Sequence, residues 1–299
     1  MYKFNVPESK KIRLIIDTDA KNEADDQFAI VHALLTPKFD ICGIIGAHFG
    51  TMKSVTSMED SCAECEKVLT MMGVTEVKAF RGATAAIKSR TEYELSEGAR
   101  LIIDAAMKEN ENPLFVIFLG PITDLACAYL ANPEIAGRMT AIWIGGGKYP
   151  HGGMEYNLWN DIAAANVIMD SNIPLWQVPS NVYSRMLVSL AELESKVYPY
   201  GEVGKYLFEQ MAEFNNAYGK LPQWPKGESW SLGDSPAVGL LLDSMDYAWE
   251  LQPAPIIGDD MSYRFKEGRR GIRVYNDIDA RFILEDMFAK LKLNYGANA

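Results

Sequence analysis

Five carboxylates fall within ten residues near the start of the chain: Asp17, Asp19, Glu23, Asp25 and Asp26. Like charges at this density repel one another unless a cation or shared protons lie among them. Oxygen donors of this hardness suit Ca²⁺ or Mg²⁺. One or two acids ahead of a helix are explained by capping and by the helix dipole. Asp19, Asp25 and Asp26 together exceed that need. Asp17, directly after an apolar run, is expected to hold the loop through backbone hydrogen bonds.

Three later segments carry groups that could join them. Gly120-Pro121-Ile122-Thr123 reads as a turn feeding a helix, with carbonyls around Thr123 able to face the acids. Gly145-Gly146-Gly147 lets backbone approach a ligand closely. Glu155 and Asn157 follow, two apart, so an extended segment would turn both to one face. A carboxylate and an amide there suit a polyhydroxylated ligand such as a sugar. Asp234 stands before Ser235-Pro236, where helix capping is the simplest reading taken alone. Of the three histidines, His48 and His151 stand where they could reach the site, and none has metal-ligand spacing. Cys62 and Cys65 lack the second pair that a zinc site needs and read as reduced, structural residues.

The elements that must position these groups alternate. Apolar runs over 12–16, 39–45, 114–119, 140–144 and 175–178 read as strands. Helical spacing fills 25–35, 55–71, 93–108, 123–130 and 161–169. After residue 179 the pattern is mainly helical, over 190–197, 204–218, 235–242 and 279–293, with one strand at 271–275. Such alternation predicts an α/β fold with a mostly parallel central sheet, flanked by helices, as a single domain over residues 1–299. The acids then sit in the first strand-to-helix loop, at the carboxyl edge where open α/β sheets bind ligands.

Bulk composition narrows the function. A 48% hydrophobic and 23% charged chain of 299 residues is ordinary for a globular enzyme. The net charge of −11 argues against nucleic acid and anionic membranes as partners. The first residues lack the apolar core of a signal peptide, and no apolar run approaches spanning length, so a cytoplasmic location is expected.

In this order the motifs resemble those of the nucleoside hydrolase (inosine–uridine-preferring) family, across about residues 12–240. They stand here as Asp17-Thr18-Asp19…Asp25-Asp26, Gly120-Pro121-Ile122-Thr123, Glu155-Tyr156-Asn157…Asp161-Ile162-Ala163-Ala164 and Gly233-Asp234. The resemblance implies a Ca²⁺ held by Asp19, Asp26, the main-chain carbonyl of Thr123, and Asp234. It implies ribose contacts from Asp25, Glu155 and Asn157, and a water deprotonated by Asp19 that attacks the anomeric carbon with inversion. A small nucleoside or related ribosylated compound is the expected substrate, and a homodimer or homotetramer the expected assembly.

The chain departs from the family pattern at three places. The acidic loop is two residues longer than usual, which brings Asn22 and Glu23 forward as ligand contacts. His48 lies where a Gly-Asn pair is usual. Gly233 stands where a histidine commonly precedes the late Asp and protonates a purine, leaving His48, His151, or stacking by Trp159 or Trp230, as the expected assistance. Core packing is the alternative for Trp230. The same fold acting on a different glycoside, or a metal-dependent binder without turnover, are the rival readings.

Overall fold

The computed structural model describes residues 2–221 and 227–296. Its strands are β1 (Ile12–Thr18), β2 (Phe39–Gly46), β3 (Ala79–Arg81), β4 (Leu114–Phe118), β5 (Thr140–Ile144), β6 (Leu175–Val178), β7 (Leu187–Ser189), β8 (Ser229–Ser231), β9 (Trp249–Pro253), β10 (Ile256–Ile257), β11 (Tyr263–Arg264) and β12 (Gly271–Tyr275). Eight of them form one sheet in the order β3-β2-β1-β4-β5-β6-β12-β9, parallel except for β9, which runs antiparallel to β12.

Between and after the strands lie α1 (Asp26–Leu34), α2 (Ser57–Met72), α3 (Glu97–Met107), α4 (Thr123–Ala131), α5 (Tyr156–Asn160), α6 (Ile162–Asp170), α7 (Ser180–Tyr183), α8 (Leu190–Lys196), α9 (Gly201–Tyr218), α10 (Ser235–Leu242) and α11 (Ala280–Tyr295). Side chains alternate across the sheet with the period of a strand. Leu14, Ile16, Ile44, Ile117 and Ile142 pack into the core on the face covered by α1, α2, α9, α10 and α11. Ile15, Ile45, Val116, Phe118 and Trp143 pack into the core under α3, α4 and α6. Burial on both faces is why these strands read as continuous apolar runs.

The expected architecture is present, with a helical C-terminal region and several short strands that the sequence pattern does not reveal. Trp249–Pro253 joins the main sheet although Glu250 and Gln252 break any apolar run there. The helix expected from residue 93 begins at Glu97 because Ser96 caps it, accepting from Ala99 N at 2.9 Å. Among the described residues no helix is long and apolar enough to cross a membrane.

β1 lies between β2 and β4, so the strand order reverses beside it, and open sheets bind ligands at that crevice. Asp17 pairs in register with Ile45 on one side and Phe118 on the other. The residues that follow β1 and β4 therefore emerge together at the carboxyl edge.

Candidate active site

Thirteen residues line a pocket at that edge: the acids Asp19, Glu23, Asp25, Asp26, Glu155 and Asp234, with Asn22, Asn157, Tyr156, Tyr183, Leu119, Ile144 and Gly233. Eight of the eleven residues expected at the site are among them. Thr123, His48 and Trp230 are not.

The acids reach the pocket from two helix starts. Asp25 is the N-cap of α1 and Asp26 its first residue, while Asp234 is the N-cap of α10. Oxygens from Asp25, Asp26 and Asp234 lie within 4.8 Å of one another. Burial and the neighbouring carboxylates push Asp19, Asp25 and Asp234 well above the usual carboxylate range. Asp26 is pushed up to about 6 by burial, while hydrogen bonds from Thr18 Oγ1 (2.5 Å) and with Asp234 pull it back. Such a cluster holds protons or a cation.

Asp19 sits on the pocket floor, and its buried Oδ2 has no hydrogen-bond partner among the described residues. A Cβ on Gly120 would lie 2.9 Å from Asp19 Cγ, so only glycine lets the turn after β4 pass this close. The same turn is tied down by Trp143, whose Nε1 donates to Gly120 O at 3.2 Å. An unpartnered buried carboxylate oxygen beside three convergent ones is a hard, all-oxygen donor set, and it fits a divalent cation such as Ca²⁺. Asp17 differs from expectation. Its backbone carbonyl accepts from Leu119 N, but neither carboxylate oxygen has a partner, and burial pushes the group well up.

Glu155 lines the pocket as the N-cap of α5. Its Oε1 accepts from Asn157 N (3.2 Å) and Tyr183 Oη (2.9 Å), and its Oε2 from Gly146 N (2.7 Å) and Leu158 N (2.9 Å). Those four bonds take up the acceptor capacity of a carboxylate, so Glu155 builds the wall rather than offering itself to ribose. Asn157 Nδ2 donates to Leu119 O (2.7 Å) and Ile144 O (2.8 Å), joining the ends of β4 and β5. That leaves its Oδ1 as the atom for a ligand.

His48 lies behind the pocket. Thr123 Oγ1 donates to Asp161 Oδ2 at 2.9 Å, so the His48 Nε2–H donates to Thr123 Oγ1 at 3.0 Å, and Gly50 N donates to His48 Nδ1 at 3.3 Å. These bonds assign the neutral Nε2–H tautomer, and burial pushes the ring down to about 4. His48 is thus neither a ribose contact nor a cationic acid, because a buried imidazole with these partners stays neutral. Trp230, expected to stack on the leaving group, is 2% exposed and packs edge-on against Phe214 at 5.3 Å between ring centroids. It belongs to the core.

Sequence reasoning passed over Tyr183, Tyr156 and Lys53. Tyr183 fills the room beside Gly233 and holds Glu155. Lys53 Nζ donates to Asn22 O (2.8 Å) and Oδ1 (2.7 Å). Nothing in the local sequence marks Tyr183, which lines the pocket, or Lys53, which stands beside the lining residues Asn22 and Tyr156, since both come from segments without a motif.

Comparison with known proteins addresses family and fold. Residues 14–282 match the family described as inosine-uridine preferring nucleoside hydrolase. The chain is 22% identical over 265 residues to the pyrimidine-specific ribonucleoside hydrolase RihA of Escherichia coli O1:K1, covering 80% of this chain and 79% of that one. It is 26% identical over 209 residues to uridine nucleosidase 1 of Arabidopsis thaliana, covering 60% of each. Its fold superposes on the purine-preferring ribonucleoside hydrolase from Gardnerella vaginalis with a TM-score of 0.75 at 20% identity, covering 93% of this chain and 98% of that one. A family match spanning nearly the whole described chain, on a sheet whose switch point carries the acids, makes this protein a glycosidase of the inosine-uridine preferring nucleoside hydrolase family.

Proposed function

We propose that the chain hydrolyses the N-glycosidic bond of a ribonucleoside or closely related riboside, with Ca²⁺ as its metal and Asp19 as the general base. The observation that carries this reading is the meeting of Asp19, with its unpartnered oxygen, and the Asp25–Asp26–Asp234 cluster in one pocket. Asp19, Asp26 and Asp234 would hold the ion, with the Thr123 main-chain carbonyl as the further ligand that the family resemblance assigns. When bound, such an ion lowers the pKa of water and orients vicinal hydroxyls.

The protein's own residues supply the rest. Asp25 and Asn157 Oδ1 accept from ribose hydroxyls and fix the sugar, which lowers the entropy cost of reaching the transition state. Asp19, at the floor, takes the proton of the attacking water. Attack from the floor sends the leaving base towards the rim and inverts the anomeric centre, by analogy with inverting glycosidases. A cytoplasmic setting accords with the four free cysteines, and a homodimer or homotetramer is the assembly carried with this reading.

The test is release of reducing sugar from purine and pyrimidine nucleosides, with and without a strong chelator. Turnover that chelation abolishes and Ca²⁺ restores supports the proposal. Stoichiometric Ca²⁺ without turnover of any nucleoside overturns it in favour of another glycoside or a binding role.

A further inference from the structure

The leaving side of the pocket lacks the histidine that the family resemblance leads one to expect, since Gly233 holds that place and His48 is neutral behind Thr123. Breaking the bond from C1′ to the base nitrogen leaves an electron pair on the base, which departs poorly unless a proton meets it. Among the thirteen lining residues the ionisable groups are six carboxyls and two phenols. Tyr183 Oη is committed to Glu155, and burial pushes the Tyr156 phenol up to about 12. Neither phenol is therefore a ready donor.

Next to the lining stands Lys53. Its ammonium is anchored on Asn22, in the loop that exceeds the usual family length, and lies 5.3, 5.7 and 5.4 Å from the ring centroids of Tyr156, Phe214 and Tyr218. Rings of this kind hold a cation over their faces and also stack on a planar base. The residue is exposed on its outer side, so solvent can restore a lost proton. Lys53 thus stands beside two lining residues, Asn22 and Tyr156, and the charges it senses are those of Glu23, Asp19, Asp25 and Asp26.

Building on the hydrolase reading above, we infer that Lys53 is a catalytic residue that donates a proton to the departing base. The C1′–N bond breaks and its electrons go to the base, and the Lys53 ammonium gives that base its proton. Water oxygen bonds to C1′ and gives its own proton to Asp19. Solvent then returns the proton from Asp19 to Lys53, so riboside plus water gives ribose plus neutral base. Burial against the rings lowers the Lys53 pKa from its ordinary value, which makes the ammonium a better donor.

The experiment compares Lys53→Met and Lys53→Arg with the native enzyme on uridine and inosine, and on 4-nitrophenyl riboside, whose phenolate leaves without a proton. Lys53→Met is expected to lose at least about 100-fold in kcat on the nucleosides, within the range for a general acid. It should stay within about threefold of native on the nitrophenyl riboside, which also reports that the variant is folded. Lys53→Arg should fail on nucleosides as Lys53→Met does, because guanidinium keeps its proton. Equal losses on both substrate types, no loss at all, or full activity in Lys53→Arg overturns the assignment. A native enzyme that leaves both substrate types intact overturns the hydrolase reading itself, and this inference with it.

Discussion

A Cβ on Gly233 would lie 3.0 Å from Cδ2 of Tyr183 and 3.4 Å from Oδ2 of Asp25, so the residue before Asp234 and the phenol that holds Glu155 compete for one space. A side chain at 233 would require Tyr183 to give way by a few tenths of an ångström. Gly233→Ala should cost about 1–3 kcal/mol through overpacking. Tyr183→Ala in the same chain should relieve most of that penalty. Thermal denaturation of both single variants and the double reads the coupling. Strict additivity would show that the two side chains do not share the space.

Glu155 ties four donors to one carboxylate. Glu155→Ala should therefore destabilise the fold, by about 1 kcal/mol for the lost cap and about 1–3 kcal/mol more for donors left buried without a partner. Urea denaturation measures this alongside KM. A raised KM with unchanged stability would instead mark Glu155 as a ligand contact alone.

Asp19→Asn keeps the shape of the floor and removes its base. The expected loss in kcat is about 10²–10⁴-fold, with Ca²⁺ content by elemental analysis still near the native level. Near-normal turnover at full metal occupancy would sink the assignment of Asp19.

The cluster makes stability depend on pH and metal together. Asp26 titrates at about 6 in the folded chain, above the ordinary carboxylate value, because burial opposes its charge. A raised carboxyl binds its proton more tightly folded than unfolded. Its contribution is therefore full below about pH 4 and is lost as pH rises through about 6. Calcium must displace those protons, so its stabilisation should grow with pH. Melting curves at pH 5 and 7.5, with chelator and with Ca²⁺, should show the larger Ca²⁺-induced rise at pH 7.5. An equal rise at both would contradict protons held within the cluster.

The acidic loop was legible because charge density that high has few physical explanations. Asp234 was not, on local grounds: its place before α10 invites the capping reading, although its side chain accepts no capping hydrogen bond, and only the order of motifs marked it. Helix capping and ligand binding use the same atoms at the same place, so sequence cannot separate them. Glu155 shows the reverse, a motif residue whose carboxylate the structure commits to capping α5. Trp230 and His48 were misplaced because apolar and aromatic residues near a site look alike in sequence whether they face the ligand or the core. Tyr183 and Lys53 arrive through topology, from the end of β6 and the loop after β2.

The pocket's parts lie far apart along the chain. Asp19 and Asp26 follow the first strand, whereas Asp234 arrives more than two hundred residues later, after β8. Bringing such distant segments together requires closing a long loop, which costs entropy. The ion site is therefore completed only when α10 docks against α1. A nascent chain that has not yet emitted residue 234 carries the acids without their closing partner, and on the proposed calcium reading tight uptake of the ion would report that α10 has folded home.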